Sequence, residues 1–134
     1  MPEPIAAYWV LLIGALMPYP LVAMAKAGPA YDNTDPRNPA ALTSAFRRNA
    51  FGAHANCLEA LPLFAAAVLL AGFRHAPAQT VDTLAFVWLA CRLGYVACYL
   101  RGLGTLRSLI WAAATAASVA IFVLGVTAGA GSAG

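Results

Sequence analysis

Polar and ionisable side chains recur at helical spacing in two stretches of an otherwise apolar sequence. At 100° per residue, the members of the first set fall within an arc of about 80° and those of the second within about 60°, so each set shares one helix face. The first set is Arg48, Asn56 and Glu59, and the second is Arg92, Tyr95 and Tyr99. Each of these side chains needs a structural or functional reason, because ionisable groups in an apolar environment are costly.

Together, these side chains could bind a zwitterionic ligand that carries carboxylates. Guanidinium groups bind carboxylates through two parallel hydrogen bonds, and Arg48, Arg92 and Arg107 supply three of them. Glu59 would take a ligand ammonium group or position an arginine. An arginine or a tyrosine hydroxyl beside a thiol sulfur would favour the thiolate, which is the reactive form.

Taken one at a time, the same residues have simpler interpretations. Arg92 and Glu59 would suit an ion pair that holds two helices together. Tyr95 and Tyr99 would suit the belt of aromatic residues at a membrane surface. Only their convergence on one site distinguishes the ligand-binding hypothesis from these alternatives.

The composition indicates which elements position them. Hydrophobic residues make up 62% of the 134 residues and charged residues 10%, against about 25% charged in an average soluble protein. So few charges cannot cover the surface of a soluble domain, so the sequence predicts a membrane protein that contacts lipid. The net charge of +3 is dispersed and predicts no nucleic-acid partner, and no histidine has a partner at metal-ligand spacing.

The predicted fold is all-α, a single domain over residues 1–134 with four transmembrane helices in an up-down bundle. The helices are expected at about residues 4–25, 39–72, 81–100 and 106–129. Pro18 and Pro20 should disturb the second half of the first helix, and Pro62 should kink the second. Asn38 followed by Pro39 is a typical helix start. Glu3 is the only charge before the first apolar run, which favours a retained helix over a cleaved signal peptide.

The distribution of basic residues predicts the orientation. Loops one and three, with the adjacent helix ends, carry six of them, against Arg74 alone on the other side. The six are Lys26, Arg37, Arg47, Arg48, Arg101 and Arg107. We therefore expect loops one and three in the cytoplasm and both termini outside. Both polar sets then lie in the cytoplasmic leaflet, because the second helix starts there and the third ends there.

Three segments resemble the MAPEG family, the membrane-associated proteins of eicosanoid and glutathione metabolism. Residues 52–64 carry the spacing Asn-x-x-Glu-x-x-Pro-x-Phe, beginning at Asn56. The run from Arg92 through Tyr95 to Tyr99 is similar to the third-helix signature of that family. The loop from Tyr31 to Arg37 looks like that of bacterial members. The resemblance covers essentially the whole chain.

That resemblance implies a homotrimer in the bacterial inner membrane, with active sites between neighbouring subunits. It implies glutathione as co-substrate and a transferase or peroxidase acting on lipophilic electrophiles or lipid hydroperoxides. Glutathione would be bound by Arg48, Asn56, Glu59, Arg92, Tyr95 and Tyr99. Arg107, at the start of the fourth helix, would be the catalytic residue that stabilises the thiolate.

The sequence departs from the family pattern at position 52. Glutathione-dependent members carry arginine four residues before the asparagine, where this chain has Gly52, and Arg48 lies one turn earlier on the same face. This departure motivates an alternative, a non-catalytic member that binds lipid or a partner.

Overall fold

The computed structural model describes residues 2–130, and within that range the chain forms helices and no strand. The helices are α1 (Ile5–Leu16), α2 (Pro18–Lys26), a 3₁₀ helix (Pro39–Ala41), α3 (Ala45–Phe73), α4 (Ala78–Leu100) and α5 (Gly104–Thr127). With α1 and α2 taken as one segment, four helices are long and apolar enough to cross a membrane. This agrees with the predicted all-α, four-helix fold class. Residues 1 and 131–134, the ends of the predicted domain, lie outside the described residues.

The first membrane-spanning segment is interrupted where prolines enter it. Met17 separates α1 from α2 but keeps helical dihedrals, with φ −54° and ψ −36°. Pro18 has no N–H to continue the ladder, and together with Pro20 it occupies the first turn of α2, where a missing N–H is tolerated. The interruption therefore falls at the residue before the first proline.

The predicted start of the second membrane helix at residue 39 is wrong. The Asn38 side chain does accept a hydrogen bond from Ala40 N–H, at 3.0 Å, but it begins only the 3₁₀ helix. A second cap follows, in which Ser44 Oγ accepts from Arg47 N–H at 3.2 Å, and α3 begins there. The sequence carries two N-cap signals six residues apart, and the second one starts the long helix.

Of the remaining helix ends, the starts of α4 and α5 and the end of α5 differ from expectation by two or three residues, and the others agree to within one residue. α4 begins at Ala78 instead of 81, with Pro77 preceding its first turn. α5 spans Gly104–Thr127 instead of 106–129. α3 continues through Pro62.

Two apolar clusters hold the helices together. The larger one joins α1, α3, α4 and α5 and is centred on Phe64 and Trp88, whose rings stack with centroids 3.7 Å apart. The smaller one contains Leu21, Ala53 and Cys57 and joins α2 to α3. Large apolar side chains cover the outside of the bundle, and Trp9, Phe73 and Leu109 are 64%, 82% and 65% exposed. Such a surface suits lipid and not water.

The bundle has two ends that differ in their polar contacts. The loop-two end contains Arg74–Pro77 and the N-terminus of α1. There Asp82 Oδ1 accepts a hydrogen bond from Ala7 N–H at 2.8 Å, so a carboxylate on α4 caps α1. Arg74 Nη2 donates to the carbonyl of Ala128 at 2.8 Å, which joins the C-terminal ends of α3 and α5. At this end, the side chains of Asp82 and Arg74 satisfy helix termini.

The loop-one end contains the segment between α2 and α3 and the turn at Arg101–Leu103. Within the first of these, Asp32 accepts from both the N–H and the hydroxyl of Thr34, at 2.8 and 2.7 Å. The Thr34 N–H holds the pKa of the Asp32 carboxyl below its usual value, because it stabilises the charged form. This Asx turn gives the segment a fixed local conformation.

Candidate functional site

Arg92 is the most deeply buried ionisable residue of the two polar sets, with 1% of its surface exposed. Its Nη2 donates to Cys57 Sγ at 3.5 Å, and its guanidinium carbon lies 4.5 Å from the centroid of the Tyr95 ring. Its Nη1 is buried and has no hydrogen-bond partner. A buried guanidinium with an unused N–H group is costly unless something outside the chain binds it.

A cavity of about 190 Å³ lies beside Arg92, and we call it the Arg92 cavity. Three helices line it: α3, α4 and α5. Its lining residues are Asn56, Glu59, Ala60, Leu63, Trp88, Arg92, Trp111, Ala114, Thr115 and Ser118. Asn56 Nδ2 donates to Glu59 Oε2 at 3.5 Å, while Asn56 Oδ1 is buried without a partner. The cavity thus has an unused donor, an unused acceptor and a carboxylate among its lining residues.

A second cavity, of about 220 Å³, shares Asn56 and Trp111 with the first. We call it the Arg107 cavity, since Tyr95, Arg107 and Ser108 complete its lining. The two cavities therefore adjoin along α3 and α5. Together they bring Asn56, Tyr95 and Arg107, which are distant in sequence, to one region of the loop-one end.

Tyr99 supports this region without lining either cavity. The Arg107 guanidinium carbon lies 4.3 Å from the centroid of the Tyr99 ring, and the Tyr95 and Tyr99 rings meet edge to face at 5.7 Å. The phenol of Tyr99 packs against the backbone of α3 at Gly52. A Cβ atom at position 52 would lie only 2.6 Å from Tyr99 Cζ. The phenol therefore fills the space where a side chain at position 52 would begin.

Two sequence expectations about this site differ from the structure. Arg48 is not brought to either cavity, because it lies in the first turn of α3 and its Nη1 donates to the carbonyl of Leu42 at 3.3 Å. Arg92 and Glu59 both line the Arg92 cavity, but no ion pair joins them in residues 2–130. Arg92 instead stacks on Tyr95 and donates to Cys57. Asn56, Glu59, Arg92 and Tyr95 each line at least one of the two cavities, whereas Tyr99 lines neither.

Sequence reasoning missed the contribution of α5 beyond Arg107. Trp111, Thr115 and Ser118 all line the Arg92 cavity, and they follow Arg107 at steps of four, four and three. That spacing puts them on one face of the helix. The sequence signal for this face is the pair of hydroxyl residues, Thr115 and Ser118, at helical spacing from Arg107 in a helix rich in alanine.

The opposite face of α3 borders a third opening, the His54 cleft, of about 480 Å³. His54, Phe51 and Leu58 line it from α3, and Tyr19 and Val22 from α2. His54 Nδ1 lies 3.0 Å from the carbonyl of Pro18, which fixes the ring beside the interruption of the first segment. α3 thus separates two openings that face in different directions.

These features define a class, a multi-pass helical membrane protein with cavities lined in part by polar residues between the middle of its bundle and the loop-one end. A model of the MAPEG family matches residues 6–127, nearly the whole chain. The chain belongs to the MAPEG family. No curated protein and no solved structure gives a significant match to it. The family includes glutathione transferases and peroxidases, so its members define the range of activities to consider.

Proposed function

We propose that this protein is a membrane-bound glutathione transferase or peroxidase that acts on lipophilic electrophiles or lipid hydroperoxides. Family membership supports the reaction class. The observation that carries the proposal is the pair of unpartnered buried atoms, Arg92 Nη1 and Asn56 Oδ1, on residues that line one cavity. A ligand with both an anionic group and N–H donors would satisfy them together.

Glutathione has the required groups. One of its carboxylates would accept from Arg92, whose free Nη1 is available for a charge-assisted hydrogen bond. Its ammonium group or an amide N–H would donate to Glu59 and to Asn56 Oδ1. The adjoining Arg107 cavity gives the rest of the tripeptide room, with Tyr95 and Ser108 on its walls.

Arg107 is the residue we propose for catalysis. Its guanidinium is held against Tyr99 and lines the second cavity, where it would stabilise the thiolate of bound glutathione. In the transferase reaction, the thiolate sulfur bonds to an electrophilic carbon and the leaving group departs with the electron pair. In the peroxidase reaction, the sulfur takes the terminal oxygen of a hydroperoxide, which gives a sulfenic acid and an alcohol after one proton is added. A second glutathione then yields the disulfide and water.

We also propose a homotrimer in the bacterial inner membrane, with loops one and three cytoplasmic and lipid around it. The two openings on opposite faces of α3 support this arrangement, because a cyclic trimer pairs two different faces of each subunit. The face of one subunit that carries the His54 cleft would cover the Arg92 and Arg107 cavities of its neighbour. Lipophilic substrates would reach the site from the membrane.

One observation favours the alternative, a non-catalytic member that binds lipid or a partner. Gly52 stands where glutathione-dependent members carry arginine, and Tyr99 fills the space beside it. Arg48, the expected substitute, contacts Leu42 instead. In this alternative the cavities would hold part of a lipid headgroup.

The test is a calorimetric titration of purified protein with glutathione, followed by conjugation of an aryl halide. We expect saturable binding and glutathione-dependent release of halide. Arg107→Ala should lower kcat more than it weakens binding, because thiolate stabilisation acts in the reaction. Arg101→Ala, which removes an exposed arginine from the turn before α5, is the matched control. Absence of both binding and conjugation, with lipid retained after purification, would contradict the proposal and favour the alternative.

A further inference from the structure

Arg47 is the second buried arginine of the chain, and the site above does not use it. The distribution of basic residues gave it only a role in orientation, yet it is 6% exposed. Its Nε donates to the carbonyl of Ala25 at 2.8 Å, and its Nη1 donates to Thr43 Oγ1 at 3.1 Å. The guanidinium also packs on Gly28, where a Cβ atom would lie 2.6 Å from its Cζ. These contacts fix the charged group between the end of α2 and the start of α3.

The hydrogen bonds to Arg47 leave part of its charge uncompensated. Both acceptors of these hydrogen bonds are neutral, a carbonyl and a hydroxyl. Nη2 is buried and has no partner, so at least two of the five N–H groups of the guanidinium remain unused. Buried arginines are normally paired with an anion, and none of the described residues forms an ion pair with this one.

A small recess of about 10 Å³ lies beside Arg47. Lys26 and Arg37 also line it, as do the polar side chains of Tyr31 and Asn38, and no aspartate or glutamate of the described chain is among its lining residues. Three cationic residues therefore share one recess that contains no carboxylate. The recess is large enough for about one water molecule or one small ion.

We propose that this recess binds one anionic atom, either a chloride ion or a terminal oxygen of a phosphate group. Arg47 Nη2 is the buried donor, and Lys26 and Arg37 supply the surrounding positive charge. A water molecule would satisfy the hydrogen bond but not the charge, whereas an anion satisfies both. Because Lys26 and Arg37 also line the His54 cleft, the bound anion would fix the shape of that cleft.

The test measures thermal stability of the full chain in nanodiscs of zwitterionic lipid, with sodium gluconate as the reference salt, because its bulky chain hinders entry of its carboxylate into the recess. Chloride then replaces gluconate at constant ionic strength. We expect the unfolding temperature to rise and saturate. With a Kd of about 10 mM, about 150 mM chloride would multiply the folded-to-unfolded ratio by about 16.

The variants separate the site from general salt effects. Arg47→Gln should abolish the response to chloride. If that variant does not fold, Arg37→Gln, at an exposed position, replaces it in the test and should raise the chloride concentration that gives half of the effect. Arg48→Gln is the matched control and should keep the wild-type response, because that neighbouring arginine is exposed and bonds Leu42.

Two further arms identify the source of the anion. Stabilisation by inorganic phosphate but not by chloride assigns the recess to a phosphate oxygen. A third outcome is that the protein is already fully stabilised in nanodiscs of phosphatidylglycerol in gluconate and that chloride has no further effect. That outcome assigns the recess to a lipid headgroup. Equal stability under all these conditions, or an equal response in Arg47→Gln and wild type, would overturn the proposal and leave a water molecule in the recess.

Discussion

The two ends of the bundle both use polar side chains to cap helices, but they differ in whether buried polar atoms nearby have partners. At the loop-two end, Asp82 and Arg74 each bond a helix terminus directly. Between the loop-one end and the middle of the bundle, buried side-chain atoms lack partners: Arg47 Nη2, Asn56 Oδ1 and Arg92 Nη1 are the three found in the described chain. Asp82 and Arg74 thus support the fold, whereas we propose that the three unpartnered atoms meet ligands.

The largest expected effect comes from removing the guanidinium of Arg92. Arg92→Met should weaken glutathione binding by about a hundredfold or more, because it deletes a buried charge that would bind a carboxylate. It should change the unfolding temperature little, since a buried charge without an ionic partner contributes little to stability. Calorimetry and thermal unfolding measure the two quantities on one preparation. Unchanged binding together with a collapse in stability would place Arg92 with the structural residues.

A smaller effect is expected at Gly52. Alanine usually stabilises a helix interior by about 1 kcal/mol relative to glycine. Here the new Cβ would push the Tyr99 ring away, and overpacking of this kind costs about 1–3 kcal/mol. Because Arg107 stacks on that ring, Gly52→Ala should also lower turnover by about tenfold.

The control for this variant is Gly94→Ala in α4. A Cβ atom there would lie 3.6 Å from Ile110 Cδ1, an ordinary contact, so stability and turnover should be kept. If both glycine variants behave alike, the close packing of Tyr99 on α3 has no functional consequence.

At the loop-two end, Asp82→Ala should act on stability alone. It removes the cap on α1, which is typically worth about 1 kcal/mol, and should leave glutathione affinity unchanged. Asp82→Asn keeps an acceptor oxygen and should recover most of the loss. A change in affinity in either variant would remove the distinction between the two ends.

The smallest effect is expected from Arg74→Ala. The residue is exposed, so its bond to the Ala128 carbonyl should contribute no more than about 0.5–1 kcal/mol. Faster hydrogen exchange near the end of α5, with unchanged turnover, is the expected signature. Lower turnover would show that a change at the loop-two end affects the Arg92 and Arg107 cavities.

The sequence was sufficient to predict the four helices and five of the residues that line the two cavities: Asn56, Glu59, Arg92, Tyr95 and Arg107. Helical periodicity placed Asn56 and Glu59 on one face and Arg92 and Tyr95 on another, and the two adjoining cavities bring these faces together. Helical periodicity specifies the direction in which a residue leaves the helix axis, but not the path that a long side chain then takes. It therefore failed for Arg48, whose long side chain turns back to Leu42 from the first turn of α3.

Other features depend on packing between segments that are distant in sequence. The burial of Arg47 requires the end of α2 and Gly28 to cover it, and neither contact follows from the local sequence. The placement of Tyr99 against Gly52 likewise depends on how closely α3 approaches α4. The start of α3 was ambiguous because Asn38 and Ser44 are both good caps.

The most direct test of the account is a high-resolution structure of the protein with glutathione in nanodiscs. We predict glutathione in the joined Arg92 and Arg107 cavities, with a carboxylate on Arg92 Nη1, an N–H group on Asn56 Oδ1 and the sulfur beside Arg107. Cavities that hold an acyl chain or water at saturating glutathione, with these atoms satisfied in another way, would contradict it.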